Sequence, residues 1–184
     1  MRGLLRIFGI GAVMLLATGC GHLVYSSNAY RGQVLNAETR EPLVGAVVLA
    51  IWYREVPVAP HGPAMDYHDA LEVLTDAQGE FTVPAKTHLT PIGKIREPEF
   101  VIYSPGYGYY NYFQVHPIGR EITVAYQQRF FYVELRRWKS REEQIRNVPP
   151  IGISRVPGAK VPNLSRLVNK ELQGLGLQPI RLGR

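Results

Sequence analysis

Cysteine is nearly absent from this sequence: Cys20 is the only one in 184 residues. No internal disulfide can form, so the staple framework of small secreted domains is excluded. The motifs of common catalytic sites are missing as well. There is no HExxH helix, no Gly-x-Ser-x-Gly elbow and no phosphate-cradling glycine loop. His61, His68, His88 and His116 are followed by GPA, DALE, LTP and PIG, and none of these completes a His-x-x-Glu zinc pair. Without such residues a catalytic reading has nothing to stand on, so a non-enzyme without a cofactor is expected. The opening apolar run, Ile7 to Ala17, is about half of the roughly 20 residues that a membrane-crossing helix needs. Acidic residues are also missing from the whole segment before Cys20.

What is present there is ordered like an export signal. Arg2 and Arg6 come first, the uncharged run Ile7 to Ala17 follows, and Ala17, Thr18 and Gly19 lead into Cys20. The segment LLATGC, Leu15 to Cys20, resembles a bacterial lipobox, although Ala17 stands where leucine is commonest. That resemblance implies cleavage before Cys20, a diacylglyceryl thioether on its sulfur and an acylated new amino terminus. Each buried methylene contributes about 0.8 kcal/mol, so two or three chains anchor a protein almost irreversibly. Cys20 is then a lipidation site and not a nucleophile. Gly21, in place of Asp, resembles the signal for outer-membrane sorting in a Gram-negative envelope. The alternative is an ordinary signal peptide with an incidental cysteine near its end, or a short uncleaved anchor.

Removing residues 1–19 leaves enough chain for one domain with a full core. The formal net charge of +6 falls when Arg2 and Arg6 leave with the signal, and a modest basic excess spread along an exported chain argues against nucleic acid as a partner. Eleven Tyr, 18 Gly and 14 Pro favour strands and turns over long helices.

Residues 22–30, HLVYSSNAY, are polar and aperiodic, which with Cys20 and Gly21 suggests a tether over 20–30. Strands are expected at Arg31 to Leu35 and Val44 to Glu55, separated by the turn chemistry of NAETREP. In the second strand Val47, Leu49, Ile51 and Tyr53 alternate with Val48, Ala50, Trp52 and Arg54, so its first half is apolar on both faces and belongs deep in the fold. VPVAPHGPAMDYHDA then reads as a Pro- and His-bearing loop, and Leu71 to Thr75 with Glu80 to Pro84 as a hairpin about the turn DAQG. A second loop, Ala85 to Pro98, precedes the strand EFVIYS and the turn PGYG, with further strands at Tyr109 to Val115, Glu121 to Tyr126 and Phe130 to Arg136. Short strands at this spacing predict an all-β, antiparallel Greek-key β-sandwich.

The blocks GQVLNAETREPLVGAVV, TDAQGEFTV and YSPGY, in that order between Gly32 and Tyr107, resemble the carboxypeptidase regulatory-like domain. That resemblance implies a transthyretin-like (prealbumin-like) sandwich over residues 31–136. The blocks mark scaffold: Gly45 and Ala46 admit the second strand, Gly79 turns the hairpin and Phe81 fills the core. A fold of this kind does not by itself give a function.

Two clusters are candidates for binding. His61, Asp66, His68 and Asp69 lie within HGPAMDYHD, and imidazoles with carboxylates suit zinc, copper or nickel if the loop folds them inward. The segment YSPGYGYYNYF carries Tyr107, Tyr109, Tyr110 and Tyr112. Alternation places Tyr110 and Tyr112 on one face and Tyr109 and Phe113 on the other, so one set can stack on sugar rings or anchor a protein, or simply pack on the core and edge. Residues 137–184 differ in composition. RRWKSREEQIRN reads as a charged helix, VPPIGISRVPGAKVP as a linker, and Asn163 as the cap of an amphipathic helix with Leu164, Leu167, Val168, Leu172 and Leu175 on one face.

Together these features describe an envelope lipoprotein held to the membrane by its lipidated N-terminus, expected in the outer membrane facing the periplasm. Its expected work is non-catalytic binding or structure, with an envelope protein or polysaccharide as partner. A carbohydrate-binding module using the tyrosines and a periplasmic metal-binding protein using the His/Asp loop are the alternatives.

Overall fold

In the computed structural model the described residues are 23–58, 62–111, 125–127, 130–147 and 155–182. Cys20 with its flanking signal, His61, Tyr112 and Phe113 lie outside them. In chain order the strands are β1 (Val24–Ser27), β2 (Tyr30–Asn36), β3 (Val47–Val58), β4 (Gly62–Leu74), β5 (Glu80–Val83), β6 (Lys86–Leu89), β7 (Lys94–Ile95), β8 (Glu99–Tyr103), β9 (Tyr110–Asn111), β10 (Ala125–Gln127) and β11 (Phe130–Leu135). Helix α1 (Arg141–Asn147), a 3-10 turn at Gly158–Lys160 and helix α2 (Pro162–Gly174) follow.

The strands form an all-β body of open sheets. One sheet runs β10-β11-β2-β5, another runs β4-β3-β8-β9 with β7 added beside β3, and β1 pairs β6 in a separate ribbon. β3 organises the core because it is buried on both sides. Its Val48, Ala50 and Trp52 share one cluster with Val34, Phe81, Val83, Val133 and Leu135 of the other sheet. Its Val47, Leu49, Ile51 and Tyr53 meet Val161, Leu164, Val168 and Leu172 of the C-terminal segment. Each such side chain, fully buried, contributes about 1.5–3 kcal/mol. The apolar character of both faces, read from the sequence, thus reflects a layer of strands on one side and a helix on the other.

Helix α2 is fixed at both ends by the sheet. The backbone N–H groups of Asn163 and Leu164 each donate to the Glu72 carboxylate of β4 at 2.9 Å. The expected cap, Asn163, is therefore a recipient of capping and not its source; Pro162 stands at the first helical position and supplies no donor. At the other end Glu171, 8% exposed, accepts from the Tyr103 hydroxyl, from Gln144 and from the Gly106 N–H at 2.9 Å. Gly176, at φ +72°, closes the helix, with Leu177 N–H on the Leu172 carbonyl at 2.8 Å and Gly176 N–H on Gln173 at 2.9 Å.

Five expectations are corrected. β11 runs parallel to β2, with Phe131 opposite Gly32 and Val133 opposite Val34, so the strands are not all antiparallel; β11 reaches β2 only after the chain has crossed the other sheet. The turn at Asp76 to Gly79 forms as its residues demand, Asp76 Oδ1 accepting Gln78 N at 2.9 Å and Glu80 N at 2.8 Å, but it joins two sheets instead of closing a hairpin. β4 pairs β3 and β5 pairs β2. A side chain at Gly79 would meet the Val34 carbonyl at 2.6 Å, so that corner needs glycine for space as well as for its φ of +71°. Of the segment expected as a His-bearing loop, the described residues 56–58 and 62–70 belong to the long β3–β4 ladder, with Pro57 opposite Pro63. The loop at 85–98 holds β6 and β7. Finally, part of the tether is strand: Val24 to Ser27 pair in register with Leu89 to Lys86.

Candidate functional site

The candidate site lies where the β1–β6 ribbon rests against the β3–β4 hairpin. Two-residue alternation sends Tyr25, Ser27, Lys86 and His88 inward and Val24, Ser26, Thr87 and Leu89 outward. Opposite, β4 carries one residue too many. Trp52 faces Asp69 and Tyr53 faces Tyr67, so His68 is the extra residue of a bulge, a device that re-aims a side chain.

The bulge brings His68 to His88, ring centroids 5.1 Å apart in an edge-on arrangement. His88 is 3% exposed and sits 5.0 Å from the Trp52 ring and 6.0 Å from that of Tyr25. Lys86 Nζ lies over the same Trp52 ring at 5.7 Å. Among the described residues His88 Nε2 and Trp52 Nε1 have no hydrogen-bond partner. Burial pulls both imidazoles below the ordinary histidine range; for His88 the neighbouring His68 and Lys86 add to it, and for His68 the Asp69 charge opposes it. The pair is therefore held neutral near pH 7.

Asp69, the carboxylate nearest this pair, is already taken. Lys86 and Lys160 both reach it, Lys160 at 2.9 Å. Burial raises its pKa, but the two lysine hydrogen bonds and the Ala70 N–H outweigh that and hold it at about 2. Its structural work is to join β6 to the 3-10 turn before α2. Asp66 sits near the hairpin tip, more than half exposed, with Arg54 at 3.6 Å. Of the sequence grouping, Asp66, His68 and Asp69 lie along β4 without converging on one point, and His61 lies outside the described residues. Among those residues no three His, Cys, Asp or Glu side chains are placed to hold a metal ion. The imidazole that does meet His68 comes from β6, twenty positions later, and only the alternation in KTHL hinted at it.

An open cleft of about 730 Å³ adjoins the ribbon, lined in part by Tyr25, Glu55, Met65, Lys94, Arg96 and Glu99. Burial raises the Glu99 carboxyl to about 7. Arg96 pairs with Glu55 at 3.2 Å, and Tyr30 donates to Glu97. Burial, then the Glu97 carboxylate, pushes the Tyr25 hydroxyl up to about 12. Arg96 with Glu55 and Tyr30 with Glu97 are paired, whereas the buried Glu99 Oε2 and the Tyr25 hydroxyl have no hydrogen-bond partner among the described residues.

The tyrosine segment is folded into the body. Tyr107 and Tyr110 pack on the core between the sheets and Tyr109 on the helix side, so alternation holds for the last two while all three stay half-buried. Tyr107 is also bridged to Arg137, and Gly108 N–H donates to the Arg136 carbonyl at 2.8 Å. Tyr112 lies outside the described residues.

Among the described residues no helix is long and apolar enough to cross a membrane. No protein-family model, curated protein or solved structure matches the chain.

Proposed function

We propose that the chain is a bacterial envelope lipoprotein, anchored through Cys20, whose Greek-key, transthyretin-like β-sandwich and helical extension form a non-catalytic binding or structural module. The observation that carries this reading is the order of residues 1–20: two arginines, an uncharged run and LLATGC. The pairing of β1 from Val24 onward supports it, because a folded domain that starts three to four residues after Cys20 fits a mature amino terminus there. The half-buried tyrosines and the lysines on Asp69 lend no support to sugar or metal binding.

The test is fractionation of cells expressing the native chain beside Cys20→Ala. The native protein is expected in the membrane fraction and the variant in the soluble or uncleaved pool. Equal membrane attachment of both would overturn the reading.

A further inference from the structure

We propose that the outer face of the β1–β6 ribbon is a bilayer-contact surface, seated among anionic phospholipid headgroups, so that the domain rests on the membrane instead of hanging from a tether. This rests on the lipoprotein reading of Cys20. Leu23, Val24, Leu89 and Ile92 are 49, 53, 72 and 66% exposed. Val24 faces Leu89 across the ribbon. The Leu23 carbonyl accepts the Thr90 N–H at 2.9 Å, and the Thr90 hydroxyl donates to the Ile92 carbonyl at 2.8 Å, which gathers the four at one end. Single exposed apolar side chains are ordinary, but a group at one end marks contact with something apolar.

The length of chain before the ribbon selects the occupant. Only Gly21 and His22 separate Cys20 from Leu23, and three residue steps, fully extended, span at most about 11 Å. The headgroup layer of one leaflet is itself about 5–7 Å thick. With acyl chains on Cys20, the ribbon end lies in or just above that layer. Even one helix, about 10–12 Å across, has little room between them, so a second copy or a protein partner is disfavoured there. Charge agrees: no Asp or Glu occurs from Gly21 to Ala37 or from Phe81 to Arg96, and exposed Lys94 follows Ile92 by two residues, as anionic headgroups favour.

The test uses the natively acylated full chain in vesicles of phosphatidylethanolamine and phosphatidylglycerol. Because acylation occupies the Cys20 sulfur, Leu89→Cys, Ile92→Cys and the exposed-turn control Glu38→Cys each offer one free thiol for a nitroxide. Collision of the label with lipid-soluble oxygen and with a water-soluble nickel chelate is measured, together with intact mass. The oxygen-to-nickel ratio is expected to be several-fold higher at 89 and 92 than at 38. Equal ratios at all three sites, or spectra broadened by a second copy at 89 and 92, would overturn the contact while an acylated mass leaves the lipoprotein reading standing. An unacylated mass would overturn both. Unfolding midpoints matching the native chain show that each labelled variant is folded.

Discussion

β3 and the β1–β6 ribbon sort their residues in opposite ways. β3 places apolar side chains on both faces and is covered on both, by a sheet and by α2. The ribbon turns an imidazole, a lysine and a tyrosine inward and leaves Val24 and Leu89 outside. A strand covered on both sides owes its stability to burial, so its surroundings are fixed by the fold. The ribbon's outer face mixes Ser26 and Thr87 with Val24 and Leu89, and the fold leaves those two apolar side chains uncovered.

The largest effects are expected at β3. Trp52→Ala removes a fully buried indole and should cost about 3–5 kcal/mol, and Leu164→Ala beneath the opposite face about 2–5 kcal/mol, both read by urea unfolding. If the Leu164 loss were negligible, α2 would be an appendage and not a layer of the core. Glu171→Gln should cost less, about 1–3 kcal/mol, because it unsettles the acceptor shared by Tyr103, Gln144 and Gly106. Unfolding followed by a probe on α2 and by one on β3 should then no longer coincide.

At the seam the expected effect depends on pH. The unfolded chain binds protons at His68 and His88 more readily than the folded chain, so stability falls as pH drops below about 6.5 towards the depressed folded values. His88→Phe should reduce that acid-side slope. Glu99 acts with the opposite sign. Its raised pKa of about 7 means that the folded chain holds the proton more tightly, and stability is lost as pH rises from about 4.5 to about 7. Glu99→Gln should therefore gain stability relative to the native chain at pH 8 but not at pH 4. Urea titrations across this range separate the two. The smallest effect belongs to the ribbon's outer face: Leu89→Ser should change stability by no more than about 0.5 kcal/mol, a null result that sharpens the contrast with Trp52.

The sequence made local structure legible where one side chain decides it. The turns at Asn36 and Asp76 and the helix face of Leu164, Val168 and Leu172 follow from nearest-neighbour chemistry. Partners distant in sequence were not legible. Turn residues at 76–79 fix a reversal but not which sheet receives the next strand, and Glu72 caps a helix that starts ninety positions later. Pro57, Gly62 and Pro63 looked like loop punctuation because the long β3–β4 ladder that absorbs them near its tip is non-local. The polar residues of VYSS hid a strand whose inner face is meant for His88 and Trp52. At the site, His68 was legible and His88 was not, because the bulge that joins them appears only when β3 and β4 are aligned.

The most direct measurement is the intact mass of the native protein extracted from membranes. A chain lacking residues 1–19, with diacylglyceryl and acyl groups on Cys20, is expected. A free Cys20 thiol, or a chain that keeps residues 1–19, would contradict it.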